Sequence, residues 1–366
     1  IDSLINYWMS AMTKKGTRDV ICYFHNLKYD YHVLEQYLNI QNRCEKDGAL
    51  YNVQCRFKKA TIELRDSYKM LPFALSKFAN EFNLPQQYKK KEAIAYEYYN
   101  KENDNKEIKC SVYREFLSND EKPIFDTNVT ECYSYDRENE TFNPTTYYMD
   151  YLNLDCLVLK KGLQKFNVLI DQITKGKMSI YDSLTISSLT DKYMTICGGY
   201  DGVYEVKGNL RAYIAKAVMG GRVCVNQKYQ KQTIEGKLSD YDGVSLYPSA
   251  INRLCRELGL PKGVAIRFQN NELNSWKSKT YSVLTVKILK VNKKQQMPFI
   301  AHKSDVSIDY LNEAPAEPVI IDSITLEDYI NFHDIEYEIL DGVYWNSGTN
   351  KKMGSIIQEL FNARLQ

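Results

Sequence analysis

Apolar and polar positions along the chain alternate between a strand period and a helix period. Val20 to Phe24 is a short, largely apolar run that stops at His25-Asn26, which predicts a strand running into a polar turn. Asp30 then precedes a run, YHVLEQYLNI, with helical spacing. Leu152, Leu157 and Leu163 predict a second helix around Tyr151-Leu152-Asn153-Leu154-Asp155. Tyr151 and Asp155 are four apart, so they share one face of it and their tips can meet. Residues 236–242 (GKLSDYD) read as a short extended segment, followed by a tight bend and a helix opened by Pro248. Ile251, Leu254, Cys255 and Leu258 fall on one side of that helix. Proline at the first helical position costs nothing, because that N–H has no partner anyway. Tyr281 to Ile288 alternates as a sheet strand. Strands and helices mixed in this way predict an α/β (α+β) fold class.

Between Asn100 and Thr146 the pattern dissolves into polar stretches such as KENDNKEIKC and YDRENETFNP. The cluster Cys197-Gly198-Gly199-Tyr200-Asp201-Gly202 could cradle a phosphate, and a plain turn is the simpler reading. The chain has 366 residues, enough for more than one core, and shows no internal repeat. Its formal net charge of +2 does not announce nucleic acid, so any such attraction must come from local clusters. Of Lys89-Lys90-Lys91, Lys293-Lys294 and Lys351-Lys352, only the first is expected to make such a contact. Nine cysteines lack any CxxC pair, which argues against structural zinc and against a disulfide framework. The expected setting is an intracellular reducing compartment, with no secretion and no membrane span. The sequons at Asn128 and Asn139 are read as chance.

The chemistry-bearing residues stand in three separated motifs. Asp242, next to free N–H groups around Ser245 to Tyr247, suits a site holding a metal ion against a nucleotide triphosphate. Asp155 beside the Tyr151 phenol supplies a metal-binding carboxylate and a group to orient water, hardware for metal-assisted phosphodiester hydrolysis.

In this order the motifs resemble those of the family B DNA polymerases of the protein-primed branch, found in bacteriophages, linear plasmids and adenovirus-like elements. YFHNLKYD resembles that family's second exonuclease motif, YLNLD its third, and DGVSLYPS its first polymerase motif. DSYKMLPFALSKFANEF resembles the segment between the exonuclease motifs, and Gly220-Gly221 the family's double glycine between domains. The resemblance implies a ribonuclease-H-like 3′–5′ exonuclease domain over residues 1–170, with a polar surface insertion at about 101–146, in part disordered. It further implies a connecting region at 171–210 and the start of a polymerase palm over 211–366. Residues 303–350 fall where relatives carry an inserted subdomain that contacts the priming protein.

Carried over residue by residue, Asp30 and Asp155 would bind the exonuclease metals and Tyr151 would position the attacking water. His25, Asn26 and Tyr29 would hold a frayed 3′ end, although His25 reads equally well as a satisfied histidine at a strand end. Ser67 and Tyr68 match positions that touch single-stranded DNA or the priming protein. Lys91 and Tyr96 match, loosely, a lysine–tyrosine pair that assists the exonuclease. Asp242 and the Gly243 carbonyl would be polymerase metal ligands. Ser245, Leu246 and Tyr247 would offer backbone N–H groups to the triphosphate, and the Tyr247 ring would exclude a ribose 2′-OH. Asp240 shares the strand face of Asp242 and confounds that assignment. The implied cofactor is Mg²⁺ or Mn²⁺, two ions per active site. The implied partners are DNA template and primer end, deoxynucleoside triphosphates and a terminal protein.

Departures from the family pattern shape the expectation. Val218 stands where relatives have a tyrosine before Met219-Gly220-Gly221. The first exonuclease motif and the later polymerase motifs do not occur, so the chain reads as an internal segment, expected to be inactive by itself. A decayed, DNA-gripping polymerase relic is the alternative. A stand-alone nuclease is a third reading, which the LYPS segment and the palm-like strands oppose.

Overall fold

The computed structural model describes residues 19–57, 60–222, 229, 231–303 and 307–364. The first eighteen residues of the expected exonuclease domain, residues 304–306 of the expected inserted stretch and the last two residues of the chain lie outside them. The chain divides into two compact units, Ile1–Tyr193 and Met194–Gln366.

In the first unit, β1 (Asp19–Phe24) pairs in parallel with β4 (Ala60–Asp66). Two antiparallel strands, β2 (Ile40–Lys46) and β3 (Ala49–Phe57), complete a sheet of order β1-β4-β3-β2. Asp47 and Gly48 join β2 to β3 with φ of 51° and 72°, the doubly left-handed turn that matches strand twist. Helix α1 (Leu27–Leu34) buries Leu27, Tyr31 and Leu34 on this sheet against Val53, Ile62 and Leu64.

The helix expected after Asp30 is therefore displaced. It begins at Leu27, places Asp30 in its first turn and stops before Ile40, which enters β2. Asn26, at φ 70° and ψ 53°, adopts the left-handed conformation that asparagine tolerates, and this lets the chain turn into a helix immediately. Ile40 fits the helical spacing equally well, and pairing with Cys55 decides the matter.

Helix α2 (Leu75–Glu81) packs Phe78 and Ala79 against Val158, Leu163 and Phe166 of the long α3 (Pro144–Thr174). Asn143 caps α3 by accepting from the N–H groups of Thr145 and Thr146, with Pro144 at the first helical position. The stretch 101–146 is not irregular as its composition suggested. Short helices Cys110–Arg114 and Lys122–Asn128 close over a core of Tyr98, Tyr113, Phe125, Phe142 and Tyr147. Those aromatics are far apart in sequence, so no periodicity announces the core that they form together.

Helices of the second unit include α4 (Gly208–Ala217), α5 (Leu246–Glu257) and α6 (Lys352–Arg364). The sheet is β7-β6-β8-β5, antiparallel throughout, with β5 Ile266–Arg267, β6 Tyr281–Val291, β7 Val319–Asp322 and β8 Ile335–Trp345. The expected strand at 281–288 is present and extends to Val291. Val283, Leu284, Val286 and Ile288 of β6 are buried. Residues 303–350 supply β7 and β8, which pair directly with β6.

Two local expectations fail here. Segment 236–242 joins no sheet among the described residues, and α5 begins at Leu246, two residues before Pro248. Ser245, at φ 48° and ψ 46°, turns the chain into the helix. Pro248 still lies in the first turn, where N–H groups have no intrahelical acceptor, so the early start costs no hydrogen bond.

Candidate active site

The end of β1 is fixed by a buried bracket. His25 Nε2 lies 2.9 Å from the Phe73 carbonyl oxygen and Nδ1 3.0 Å from Ser67 Oγ. A carbonyl only accepts, so Nε2 carries the proton. Ser67 Oγ donates to the Phe24 carbonyl at 2.7 Å. Burial pulls the His25 imidazole below its ordinary range, opposed by the Phe73 carbonyl and by Asp66. Asp66 Oδ1 accepts from the N–H groups of Asn26 at 2.9 Å and Tyr68 at 3.0 Å. Both ring nitrogens of His25 thus face this bracket at the strand end, and the Ser67 side chain is wholly buried. Exposed aromatic surface at this end is left to Tyr29 and Tyr68.

Asp30 projects from α1 with its carboxyl raised by partial burial and by the Asp66 carboxylate. On α3 the Tyr151 phenol stands close enough to the Asp155 carboxylate for each to shift the titration of the other. Burial, together with the charge of Asp155, holds this phenol protonated far above its usual range. Asp155 is itself raised by burial, with Glu92 adding to the shift and the nearby Tyr151 hydroxyl opposing it. The neighbouring Cys156 thiol is raised by burial, then by Asp155 and by Asp30. Both carboxylates therefore act on the same stretch of α3.

A cavity of about 360 Å³ opens beside Asp155, and Lys89, Lys90, Lys91, Glu92 and Tyr151 are among the residues that line it. The loosely matched Lys91 thus arrives at the site with Tyr151 and Asp155, whereas Tyr96 stands outside the cavity lining, its ring edge-on to Tyr148, which packs against Tyr151. Lys90 does not stay free: its Nζ lies 3.3 Å from Glu92 and 3.1 Å from Glu131. Glu92, Asn128 and Tyr147 were not legible as site residues. Tyr147 and Asn128 donate to Glu92 at 2.9 Å and 2.7 Å across separations of 55 and 36 residues, which leave no spacing signal.

No group of three or more His, Cys, Asp or Glu side chains among the described residues could hold a metal ion. Magnesium is commonly held by one or two carboxylates, the rest of its shell being water and substrate phosphate. Asp30 and Asp155 in the first unit, and the exposed Asp242 in the second, fit that donor chemistry.

In the second unit, Asp242, Gly243, Ser245 and Tyr247 share one turn, with the Tyr247 ring 81% exposed. The Gly243 carbonyl accepts from Leu246 N–H at 3.2 Å, so that amide, expected to be offered to a ligand, is committed to the turn. The Ser245 and Tyr247 N–H groups have no partner among the described residues. Ser245 Oγ accepts from Arg364 at 3.0 Å. Asp240 is exposed as well, so burial does not separate it from Asp242. A Cβ at Gly220 or Gly221 would meet nothing within 4 Å, so sterics do not explain this pair. Val218 is exposed and its carbonyl accepts from Lys303 Nζ at 3.3 Å. The glycine cluster is a turn: the Asn350 amide donates to the carbonyls of Gly198 (3.0 Å), Gly199 (3.2 Å) and Asp201 (3.1 Å). Converging carbonyls repel a phosphate.

Residues 12–365 match the family described as DNA polymerase type B, organellar and viral. No curated protein matches the chain. Among solved structures, Phi29 DNA polymerase in its orthorhombic crystal form is similar with a TM-score of 0.51 at 16% identity. Its ternary complex with primer-template DNA and incoming nucleotide substrates gives 0.50 at 15%. Each match covers 98% of this chain and 60% of the polymerase, so the chain spans about 60% of the length of these structures. At such identity the likeness speaks to fold alone.

Proposed function

Given that the chain belongs to the organellar and viral type B DNA polymerases, we propose that it carries parts of two active sites, one for template-directed DNA synthesis and one for 3′–5′ proofreading. Replication primed by a protein hydroxyl is the setting we assign to it. The observation that carries the reading is the convergence of Lys91, Tyr151 and Asp155 at one cavity, with Asp30 acting on the same stretch of α3.

In the degradative site, Tyr151 stays protonated beside Asp155, the two sharing one face of α3 four residues apart. Lys91, with Lys89, brings positive charge to a cavity also lined by Glu92 and Asp155, where a phosphodiester has to enter. Tyr29 and Tyr68 offer exposed rings for stacking on unpaired bases, a contact worth about 1–3 kcal/mol per base. In the synthetic site, Asp242 and the free N–H groups of Ser245 and Tyr247 face the triphosphate, and the Tyr247 ring faces its sugar. Asp30 and Asp155 would hold the divalent ions of one site and Asp242 an ion of the other. When bound, such ions stabilise charge on the attacking and leaving oxygens. Primer-template DNA and deoxynucleoside triphosphates are the proposed ligands, as in the similar Phi29 complex, and a terminal protein the proposed partner.

The test is a pair of substitutions in the full-length gene product. Asp242→Ala should abolish nucleotide incorporation and leave 3′-end degradation intact, and Asp30→Ala should do the reverse. Survival of both activities in either variant would sink these assignments.

A further inference from the structure

The Lys89-Lys90-Lys91 run does not act as a block. All three line the cavity beside Tyr151 and Asp155, but Lys90 is neutralised between Glu92 and Glu131 (3.3 and 3.1 Å), whereas Lys91 makes no ion pair among the described residues. What fixes the chain at this point comes from the 101–146 stretch. Asn128 is 5% exposed and sits at the end of the short helix Lys122–Asn128. Its Nδ2 has two hydrogens and two acceptors: the Lys91 carbonyl and Glu92 Oε2. Tyr147 donates to the same Glu92 oxygen at 2.9 Å. A buried amide with both hydrogens spent on adjacent residues holds the backbone between them in one orientation.

We propose that Asn128 is a positioning residue for nucleic-acid binding in this cavity: its grip on the Lys91 carbonyl and the Glu92 carboxylate aims the Lys91 ammonium at the phosphodiester backbone of a single-stranded 3′ end. The 101–146 stretch is then a brace for the site and not a surface ornament. This rests on the nuclease reading of the cavity.

The test is the acetylation rate of Lys91, mapped by mass spectrometry, with and without a short oligothymidylate. In the native protein the oligonucleotide should slow acetylation of Lys91 severalfold and leave Lys46 on β2 unchanged. Asn128→Ala should abolish that protection. Tyr147→Phe withdraws a donor from the same carboxylate but not from the Lys91 carbonyl, so it should keep the protection; its loss in Y147F would reduce Asn128 to general packing and overturn the proposal. Full protection in N128A overturns the positioning role while the nuclease reading stands. Absence of protection in the native protein overturns both. Should N128A fail to fold by circular dichroism, Asn128→Ser keeps a single donor and should give partial protection, and full protection there also refutes the role.

Discussion

Gly162 of α3 and Phe78 of α2 approach so closely that a Cβ at position 162 would stand 2.5 Å from Cδ2 of the ring. Phe78 cannot retreat, since it is fully buried between Phe73 and Phe82, with ring centroids 5.1 and 5.5 Å away. His25 also packs edge-on to it at 5.0 Å. The helix bearing Tyr151 and Asp155 is thereby set against the bracket that ends β1.

Gly162→Ala should therefore destabilise the first unit. Alanine gains about 1 kcal/mol of helix propensity over glycine, but forcing a methyl into a packed contact costs about 1–3 kcal/mol. A urea midpoint that stays level or rises would contradict the close contact.

Asn350→Ala should loosen the turn at 197–202. Three carbonyls lose their shared donor at a site where Asn350 is 6% exposed, a loss of roughly 1–3 kcal/mol. Limited proteolysis should cut within this turn faster than in the native protein. Asn350→Asp should be worse, because a carboxylate cannot donate to carbonyls.

The sheet of the first unit should lose stability at high pH through its thiols. Burial pushes both Cys22 and Cys55 from 9.0 up to about 11, with Cys55 adding to the shift of Cys22. Between those values the unfolded chain has released its thiol proton and the folded one has not, so stability falls as pH rises. It is retained in full below pH 9. For the buried Cys55 the whole effect is on the order of 2–3 kcal/mol at 1.36 kcal/mol per pKa unit. Urea midpoints at pH 8 and pH 10 should diverge less in Cys55→Ala than in the native chain; equal divergence would remove the thiol from the explanation.

Replacing Tyr247 by Val in the full-length gene product should admit ribonucleotides, because the exposed ring is the proposed barrier to the 2′-OH. Discrimination by the bulk of a single group is typically worth about 10–200-fold, and most of it should vanish. Unchanged incorporation ratios for ribo- and deoxynucleotides would move the barrier to another side chain.

The sequence by itself was enough to find the strand ending at Phe24, the shared face of Tyr151 and Asp155, and the strand from Tyr281. Each is a local pattern whose period is set by backbone geometry within a few residues. Local pattern also misled: the helix near Asp30 was settled by left-handed Asn26 and by the pairing of Ile40 with Cys55, and the start of the helix after Asp242 by left-handed Ser245. Only the tertiary structure could bring Asn128 and Tyr147 to Glu92, turn the polar stretch 101–146 into an aromatic core, and fill the glycine turn with Asn350. Those contacts join residues tens to more than a hundred positions apart, and nothing in the spacing of such residues records that they will meet.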